Sequence, residues 1–480
     1  MSIIELGEIE KCLQTKSFSR KGKKLPQFIT AGSVCLGAVA AGAVLGWTGN
    51  ISEELKDGKL NDIKIDDFEL KWIGSCATLG AMVVCFPSGI ICEKLGRKLP
   101  LLLLTILFIG GWLFIIFSNS VGMIYIGRFI TGMATGAFLV LSPLYMSEIA
   151  EKELRGALVT IGMLISLGIL LSFIISYVVS LKLYTIITAA LPLLFAITFL
   201  FQPETPMYDM KQGREAEART TLIRLRGSSY DVNSELEEIK AAIAQNEQNQ
   251  ISFVDSIKKR STKKAAVISF SLMFFQQAGG INAVIFYSSY ILKSSGAEIN
   301  PKIATVIIGI VQVIATLISS LVVDKLGRRT LWIGSNLVMA IGLITLGIFI
   351  TLSDRSLVLP QTLTNLNFIP LLSISLYVLA FNFGCGPIPW TMSAELFPPE
   401  IKGIAIAAAS IINWFAAFLI TNFYFDVKKA TGGDVTFYIF SMFCIIGTVF
   451  VFFVVPETKG KSLYEIQREL NEEKKLLEKD

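Results

Sequence analysis

Twelve stretches of this sequence are apolar for long enough to cross a lipid bilayer. They fall at 29–47, 73–92, 99–118, 121–146, 156–180, 183–202, 265–291, 303–323, 330–351, 368–392, 403–424 and 435–455. A spanning helix needs about 20 such residues. Lipid offers no partner to a backbone N–H or C=O, so each stretch is expected to be a helix. Composition agrees, since 53% of the 480 residues are hydrophobic and only 17% are charged. The expected fold class is an all-α polytopic membrane protein. The first 28 residues carry Lys11, Lys16, Arg20, Lys21, Lys23 and Lys24 ahead of Ile29, with no small-residue cleavage pattern after it. They read as a cytoplasmic tail and not as a signal peptide.

The sequence contains no histidine, which removes histidine bases, nucleophile partners and metal ligands. Of its seven cysteines, six (Cys35, Cys76, Cys85, Cys92, Cys385 and Cys444) sit in apolar stretches. They read as small core residues, not as a disulfide framework or a metal site. No nucleophile–base pair, Walker pattern or Gly-X-Gly-X-X-Gly loop is present. The expectation is a chain that is not an enzyme and needs no cofactor, no metal and no ATP.

Lysine and arginine set the orientation. With the first tail in the cytoplasm, 32 of the 43 lie on that side, 10 lie on the other, and Arg128 lies inside a span. Leaving out the eleven of the long loop 203–264 still gives 21 against 10, and such an excess belongs on the cytoplasmic side. Both termini are expected there. The net charge of +5 then faces anionic lipid heads and calls for no nucleic-acid partner.

The two halves repeat one another. Gly89-Ile-Ile-Cys-Glu93-Lys94-Leu95-Gly96-Arg97-Lys98 aligns without a gap to Ser320-Leu-Val-Val-Asp324-Lys325-Leu326-Gly327-Arg328-Arg329, at an offset of 231. Glu148 with Arg155 is matched by Glu395 with Lys402 at an offset of 247, and Pro203-Glu204-Thr205 by Pro456-Glu457-Thr458 at 253. Two parallel six-helix repeats follow, at 29–202 and 265–455, between tails 1–28 and 456–480. The polar segment 203–264 joins them. Its stretches 214–226 and 232–245 have helical composition, so short helices are expected there, a charged flexible tether being the alternative.

These residues resemble the sugar porters of the major facilitator superfamily, and within them the animal facilitative sugar carriers. The marks are Gly127-Arg128-Phe129, Pro203-Glu204-Thr205-Pro206, Gln276-Gln277-Ala278-Gly279-Gly280-Ile281-Asn282, Gly386-Pro387-Ile388-Pro389-Trp390 and Glu395-Leu396-Phe397-Pro398, in that order along the chain. The Pro-Glu-Thr-Pro form and the seventh-window segment are most similar to the insect trehalose-transporter branch. The resemblance covers nearly the whole chain, to Pro456-Glu457-Thr458-Lys459-Gly460. It implies two pseudo-symmetric six-helix bundles in the plasma membrane that pass a small-molecule sugar, trehalose or glucose, by alternating access.

An amide at the bilayer centre is costly without a partner, so midplane amides are either interhelical glue or a site. Gln276, Gln277 and Asn282 fall mid-way along the seventh window, Gln312 along the eighth and Asn413 along the eleventh. Amides both donate and accept, as sugar hydroxyls require. The resemblance assigns sugar contacts to all five, and a substrate-side gate to Trp390. Trp390 follows two prolines, each of which deletes a backbone donor; packing or an interfacial position is its other reading. Gly279-Gly280 lets the seventh helix bend or unwind, or pack closely. Gly132-Met-Ala-Thr-Gly136 reads as packing. Met163 stands where the resemblance places a glutamine in vertebrate glucose carriers, which permits a larger disaccharide.

Glu93, Arg97, Glu148 and Arg155 in one half, with Asp324, Arg328, Glu395 and Lys402 in the other, form matched cytoplasmic sets. Isolated surface pairs are worth little, but charges that meet in one conformation bias an equilibrium. The resemblance makes them a cytoplasmic gate that holds the outward-open state; a structural or topogenic role is the alternative. Glu93 and Lys402 replace the usual Asp and Arg, and Lys lacks the bidentate fork.

A proton symporter needs a titratable acid in the spans. Residues 29–47 contain none, and Thr48 stands where the resemblance places an Asp in proton-coupled relatives. A uniporter is therefore expected, with a proton-coupled symporter and a non-transporting sugar sensor as the other functions this scaffold carries. Asn50-Ile51-Ser52 reads as a glycosylation sequon on the outer side.

Overall fold

The computed structural model describes residues 22–151, 153–162, 164–248, 253–294, 299–461 and 463–472. Among them the chain is helical, without a strand. The first half comprises α1 (Lys24–Lys56), α2 (Asp67–Leu95), α3 (Lys98–Ile116), α4 (Val121–Ile149), α5 (Arg155–Gly162), α6 (Ile165–Val178) and α7 (Leu181–Leu200). The connecting segment carries α8 (Pro206–Lys211), α9 (Glu215–Arg226), α10 (Val232–Gln248) and α11 (Phe253–Lys258). The second half comprises α12 (Arg260–Ala278), α13 (Ile281–Phe286), α14 (Ser288–Ser294), α15 (Pro301–Leu326), α16 (Arg328–Asp354), α17 (Pro360–Asn365), α18 (Ile369–Ala380), a π-helical turn at Phe381–Cys385, α19 (Ile388–Leu396), α20 (Pro399–Thr431) and α21 (Gly433–Val454). A final helix, α22 (Leu463–Glu472), follows.

Eleven helices are long and apolar enough to cross a membrane, and Ile165–Val178 is a shorter apolar one. Their outward residues, among them Ile106, Ile197, Leu321 and Phe453, leave large apolar side chains exposed, as a lipid-facing surface requires. The fifth window, expected as one helix, is broken between α5 and α6, where Leu164 takes φ −72° and ψ 59°. There α1 and α6 touch backbone to backbone: a Cβ on Gly42 would stand 2.2 Å from the Ile165 carbonyl oxygen, and one on Gly168 2.3 Å from that of Val39. Met163 lies outside the described residues.

The first helix runs nine residues past its apolar window and takes in Asn50, which is 2% exposed. Polar residues enter a helix at this depth because the structure satisfies them. Asn50 Nδ2 donates to the Phe173 carbonyl at 3.2 Å and to Ser176 at 2.6 Å, and its Oδ1 accepts from Thr305 at 2.8 Å. This corrects the expectation of an exposed sequon. Glycan transfer needs an accessible, extended segment, and Asn50 is helical, buried and fully bonded.

The seventh and tenth windows break where their glycines and prolines predict. Gly280 takes φ +90° between α12 and α13. In the tenth, the amide of Gly386 reaches back to Phe381 O at 2.7 Å, closing the π turn. Gly132 and Gly136 lie against the backbone of Ala77 and Ala81 on α2, the packing role expected of them.

The start of α1, α8–α11 and α22 lie at one face of the described structure, the terminal face, and the opposite ends of the spans form the far face. The two halves meet along α2 with α20, α6 with α15, and α1 with α13 and α14.

Candidate functional site

Two prolines set up the site. Pro387 has no N–H for the Phe383 carbonyl four residues back, and Pro389 has none for that of Cys385. Both freed carbonyls are used. Ser319 Oγ on α15 donates to Phe383 O at 2.8 Å, and Gln276 Nε2 on α12 donates to Cys385 O at 3.0 Å and Gly386 O at 2.6 Å. The break in the tenth span is thereby fastened to the seventh and eighth.

From Gln276 a continuous amide network extends. Asn413 Nδ2 on α20 donates to Gln276 Oε1 at 2.6 Å and to Met273 O at 3.2 Å. Gln277 Nε2 donates to Asn413 Oδ1 at 3.1 Å, and Asn282 Nδ2 donates to Gln277 Oε1 at 2.6 Å. Gln276, Gln277 and Asn413 are all buried. The structure thus brings four of the five expected amides into one bonded group. Gln312 is buried on α15, and its Oε1 has no partner among the described residues. Trp390 is half-buried on α19, outside the network. Further amides were missed, Asn336 and Asn422, both buried, and Asn382, which in the π turn accepts from Thr316 Oγ1 at 3.4 Å and donates to Val378 O at 2.8 Å. The criterion that selected the others, an amide inside an apolar window, also selects Asn382.

Arg128 on α4 is wholly buried. Its Nε donates to Ile73 O at 3.1 Å, its Nη1 donates to Val44 O at 2.7 Å, and its guanidinium lies 5.5 Å from the Trp47 ring centre. Among the described residues no carboxylate pairs with it. Thr48, fully buried nearby in sequence to Trp47, also keeps an unpartnered hydroxyl. No cluster of metal-ligating side chains occurs among the described residues.

At the far face the halves are tied by ion pairs that the sequence did not single out. Lys71 on α2 meets Asp426 on α20 at 2.8 Å, Glu53 on α1 meets Lys293 on α14 at 2.6 Å, and Glu54 on α1 meets Lys302 on α15 at 3.0 Å. Asn422 donates to Ser75 at 2.9 Å beside them. Lys293 is held protonated beyond its ordinary range by its hydrogen bond to Glu53.

At the terminal face the charged sets stay within their own halves. Arg97 binds Glu148 Oε1 through Nε at 3.2 Å and Nη2 at 3.0 Å, with Glu93 at 3.6 Å. Arg328 binds Glu395 at 3.1 Å. Arg155 is exposed, Lys402 is half-buried, and neither forms an ion pair among the described residues. The side chain of Asp324 lies outside the description. Glu395 Oε2 is buried without a hydrogen-bond partner.

Within each half two of the matched motifs touch one another, which their sequence positions alone did not reveal. Glu204 accepts from the backbone N–H groups of Arg97, Lys98 and Thr205, at 2.8–3.1 Å. Glu457 accepts from those of Arg328, Arg329, Thr458 and Lys459, at 2.9–3.0 Å. Each carboxylate caps the orphan donors at the start of α3 or α16. The preceding glycines, Gly96 (φ +87°) and Gly327 (φ +91°), have no room for a Cβ, which would stand 2.4 Å and 2.7 Å from the capping oxygen. Burial pushes the Glu457 carboxyl up, but the four backbone donors outweigh it and hold it below the usual carboxylate range.

The pattern of the family described as Sugar (and other) transporter matches residues 13–470. The facilitated trehalose transporter Tret1 of Polypedilum vanderplanki is 35% identical over 449 residues, 92% of this chain and 88% of that one. Tret1 of Aedes aegypti is 36% identical over 450 residues, and the chain spans 55% of that longer protein. Among solved structures, the inward-open xylose transporter XylE from E. coli superposes with a TM-score of 0.76 at 24% identity, covering 92% of this chain and 99% of that one. XylE bound to 6-bromo-6-deoxy-D-glucose, described as a proton:xylose symporter, gives 0.70 at 24% identity, with the same coverage.

Proposed function

Because this chain belongs to the sugar (and other) transporter family, with the major facilitator fold, we propose that it is a uniporter carrying a sugar, trehalose or glucose, through the plasma membrane with both termini in the cytoplasm. The observation that carries passive transport is Arg128. A buried cation that took its counter-charge from a titratable acid would couple charge movement to protonation. Here two backbone carbonyls and an indole face serve it, and among the described residues no Asp or Glu lies mid-span. Dipoles of that kind do not titrate.

The amide network is the sugar site in this reading. Its groups already bond to one another, so a sugar hydroxyl exchanges with an existing bond and does not add a new one. The net gain of such an exchange is small, about 1 kcal/mol per bond, which suits a site that must also release its cargo. Gln312, with a vacant acceptor, and Trp390, with an indole for the sugar's C–H face, complete it.

With the termini cytoplasmic, the far face is the outer one in this reading. Three ion pairs tie the halves together there, while at the terminal face Arg97 pairs with Glu148 and Arg328 with Glu395, each within its own half. We assign Glu93, Arg97, Glu148, Arg155, Asp324, Arg328, Glu395 and Lys402 to the cytoplasmic gate. In the outward-open state they meet across the halves, and Glu395 Oε2 is one acceptor left open for that closure. Such exchange of ion pairs moves a two-state equilibrium because the pairs exist in one state only.

The second reading, proton symport, rests on the fold shared with XylE. Uptake of labelled trehalose and glucose into proteoliposomes separates the two. A uniporter equilibrates sugar and stops, with or without an inward proton gradient; accumulation above the external concentration under that gradient overturns the proposal.

A further inference from the structure

We propose that the terminal-face end of α12, with the ends of α21 and α22, forms a binding site for the headgroup of an anionic phospholipid. A cavity of about 370 Å³ opens there, lined by Arg260, Lys263, Lys264 and Val267 of α12, Phe453 of α21 and Glu469 of α22, with others. Residues 260, 263 and 264 stand three and four apart and so share one helical face. Among the described residues neither Arg260 nor Lys263 has a carboxylate partner, and both are exposed. Glu469, the acid in the lining, is engaged by Lys461 at 2.6 Å. The rim therefore keeps a strong positive charge. Lys259, which precedes α12, offers no side-chain cap to the first backbone N–H groups of the helix, and these add to the attraction for an anion.

The floor of the cavity decides between a lipid and a soluble anion. Val267, one turn deeper than Lys263, is 56% exposed, and Phe453 is 75% exposed. A soluble phosphate gains nothing from that surface, whereas a phospholipid places its phosphate on the cations and its acyl chains along Val267 and Phe453. The neighbouring Arg329 marks the same depth. Its guanidinium lies 5.5 Å from the Phe452 ring centre and donates to the Phe452 carbonyl, the way a cation leaves an apolar belt for the headgroups.

Native mass spectrometry of the full chain, released from mixed phosphatidylcholine and phosphatidylserine micelles, tests this. The chain is expected to retain phosphatidylserine over phosphatidylcholine. R260Q and K263Q should each lower that preference about fivefold, the equivalent of ~1 kcal/mol per cation. The charge-keeping R260K/K263R should preserve it, and so should K211Q, which removes a cation of the same face outside the cavity. Phosphatidylcholine retention should stay at its starting level in all of them, which separates loss of the site from loss of the fold. Equal preference in R260Q, K263Q and the parent chain overturns the proposal, as does displacement of phosphatidylserine by inorganic phosphate.

Discussion

Asn413 and Gln276 are 137 residues apart and join two spans through one 2.6 Å bond from the Asn413 amide to Gln276 Oε1. The same Gln276 uses its own amide to hold the carbonyls of Cys385 and Gly386, so a single residue fastens the seventh, tenth and eleventh spans together.

Gln276→Ala removes one of the two bonds of the Asn413 amide nitrogen, whose other goes to Met273 O, and leaves the proline-freed Cys385 carbonyl unsatisfied, at about 1–3 kcal/mol for a buried group. Sugar uptake by this variant, and by Asn413→Ala, is expected to fall more than about tenfold while surface expression persists. Labelled-sugar uptake normalised to surface protein is the measurement; normal rates in both variants contradict the proposed site.

At the far face, Asp426→Lys replaces the Lys71–Asp426 tie with a repulsion. Partly exposed pairs are worth up to about 1 kcal/mol, so the shift is severalfold and not complete. In a Ser75→Cys background, far-side thiol labelling should rise by that factor. Adding Lys71→Asp restores the pair with its sign exchanged and should return labelling to its starting level; failure of that rescue removes the role of the tie.

Arg328→Glu sets a carboxylate against Glu395 and removes a cation from the proposed cytoplasmic gate. The outward-open state should lose population, so a cysteine introduced beside the amide network by Gln312→Cys is labelled more readily from the terminal side. Unchanged accessibility there sinks the gate assignment.

Glu457 supplies a pH dependence. Its carboxyl is held below the ordinary range in the folded chain, so its contribution to stability is complete above the unfolded pKa and is lost as pH falls through the lowered one. Melting temperature followed from neutral to acid pH should show this loss. Glu457→Gln lowers stability at neutral pH and flattens the acid limb, whereas identical curves for both proteins rule the cap out as a contributor.

The spans were legible because a bilayer demands helices, and the seventh and tenth breaks were legible because glycine and proline alter the backbone directly. The end of α1 was not, since Asn50 is helical only by virtue of partners 123 to 255 residues away. The same distance in sequence hid the Glu204 and Glu457 caps: the repeat showed that the motifs recur together, and only the fold shows that a carboxylate of one closes the helix start of the other. Four of the five amides gather as expected. The far-face pairs could not be read at all, because lysines and acids near span ends are ordinary in any membrane protein, and pairing is a property of how the halves meet.

The self-bonded amides also bear on how the proposed carrier returns without cargo. A site whose polar groups were left bare by departing sugar would resist closing over nothing, and transport would become a one-for-one swap across the membrane. Here Gln276, Gln277, Asn282 and Asn413 satisfy each other. In the proposed uniporter those mutual bonds would take the place of the sugar's, so the return step would proceed without cargo.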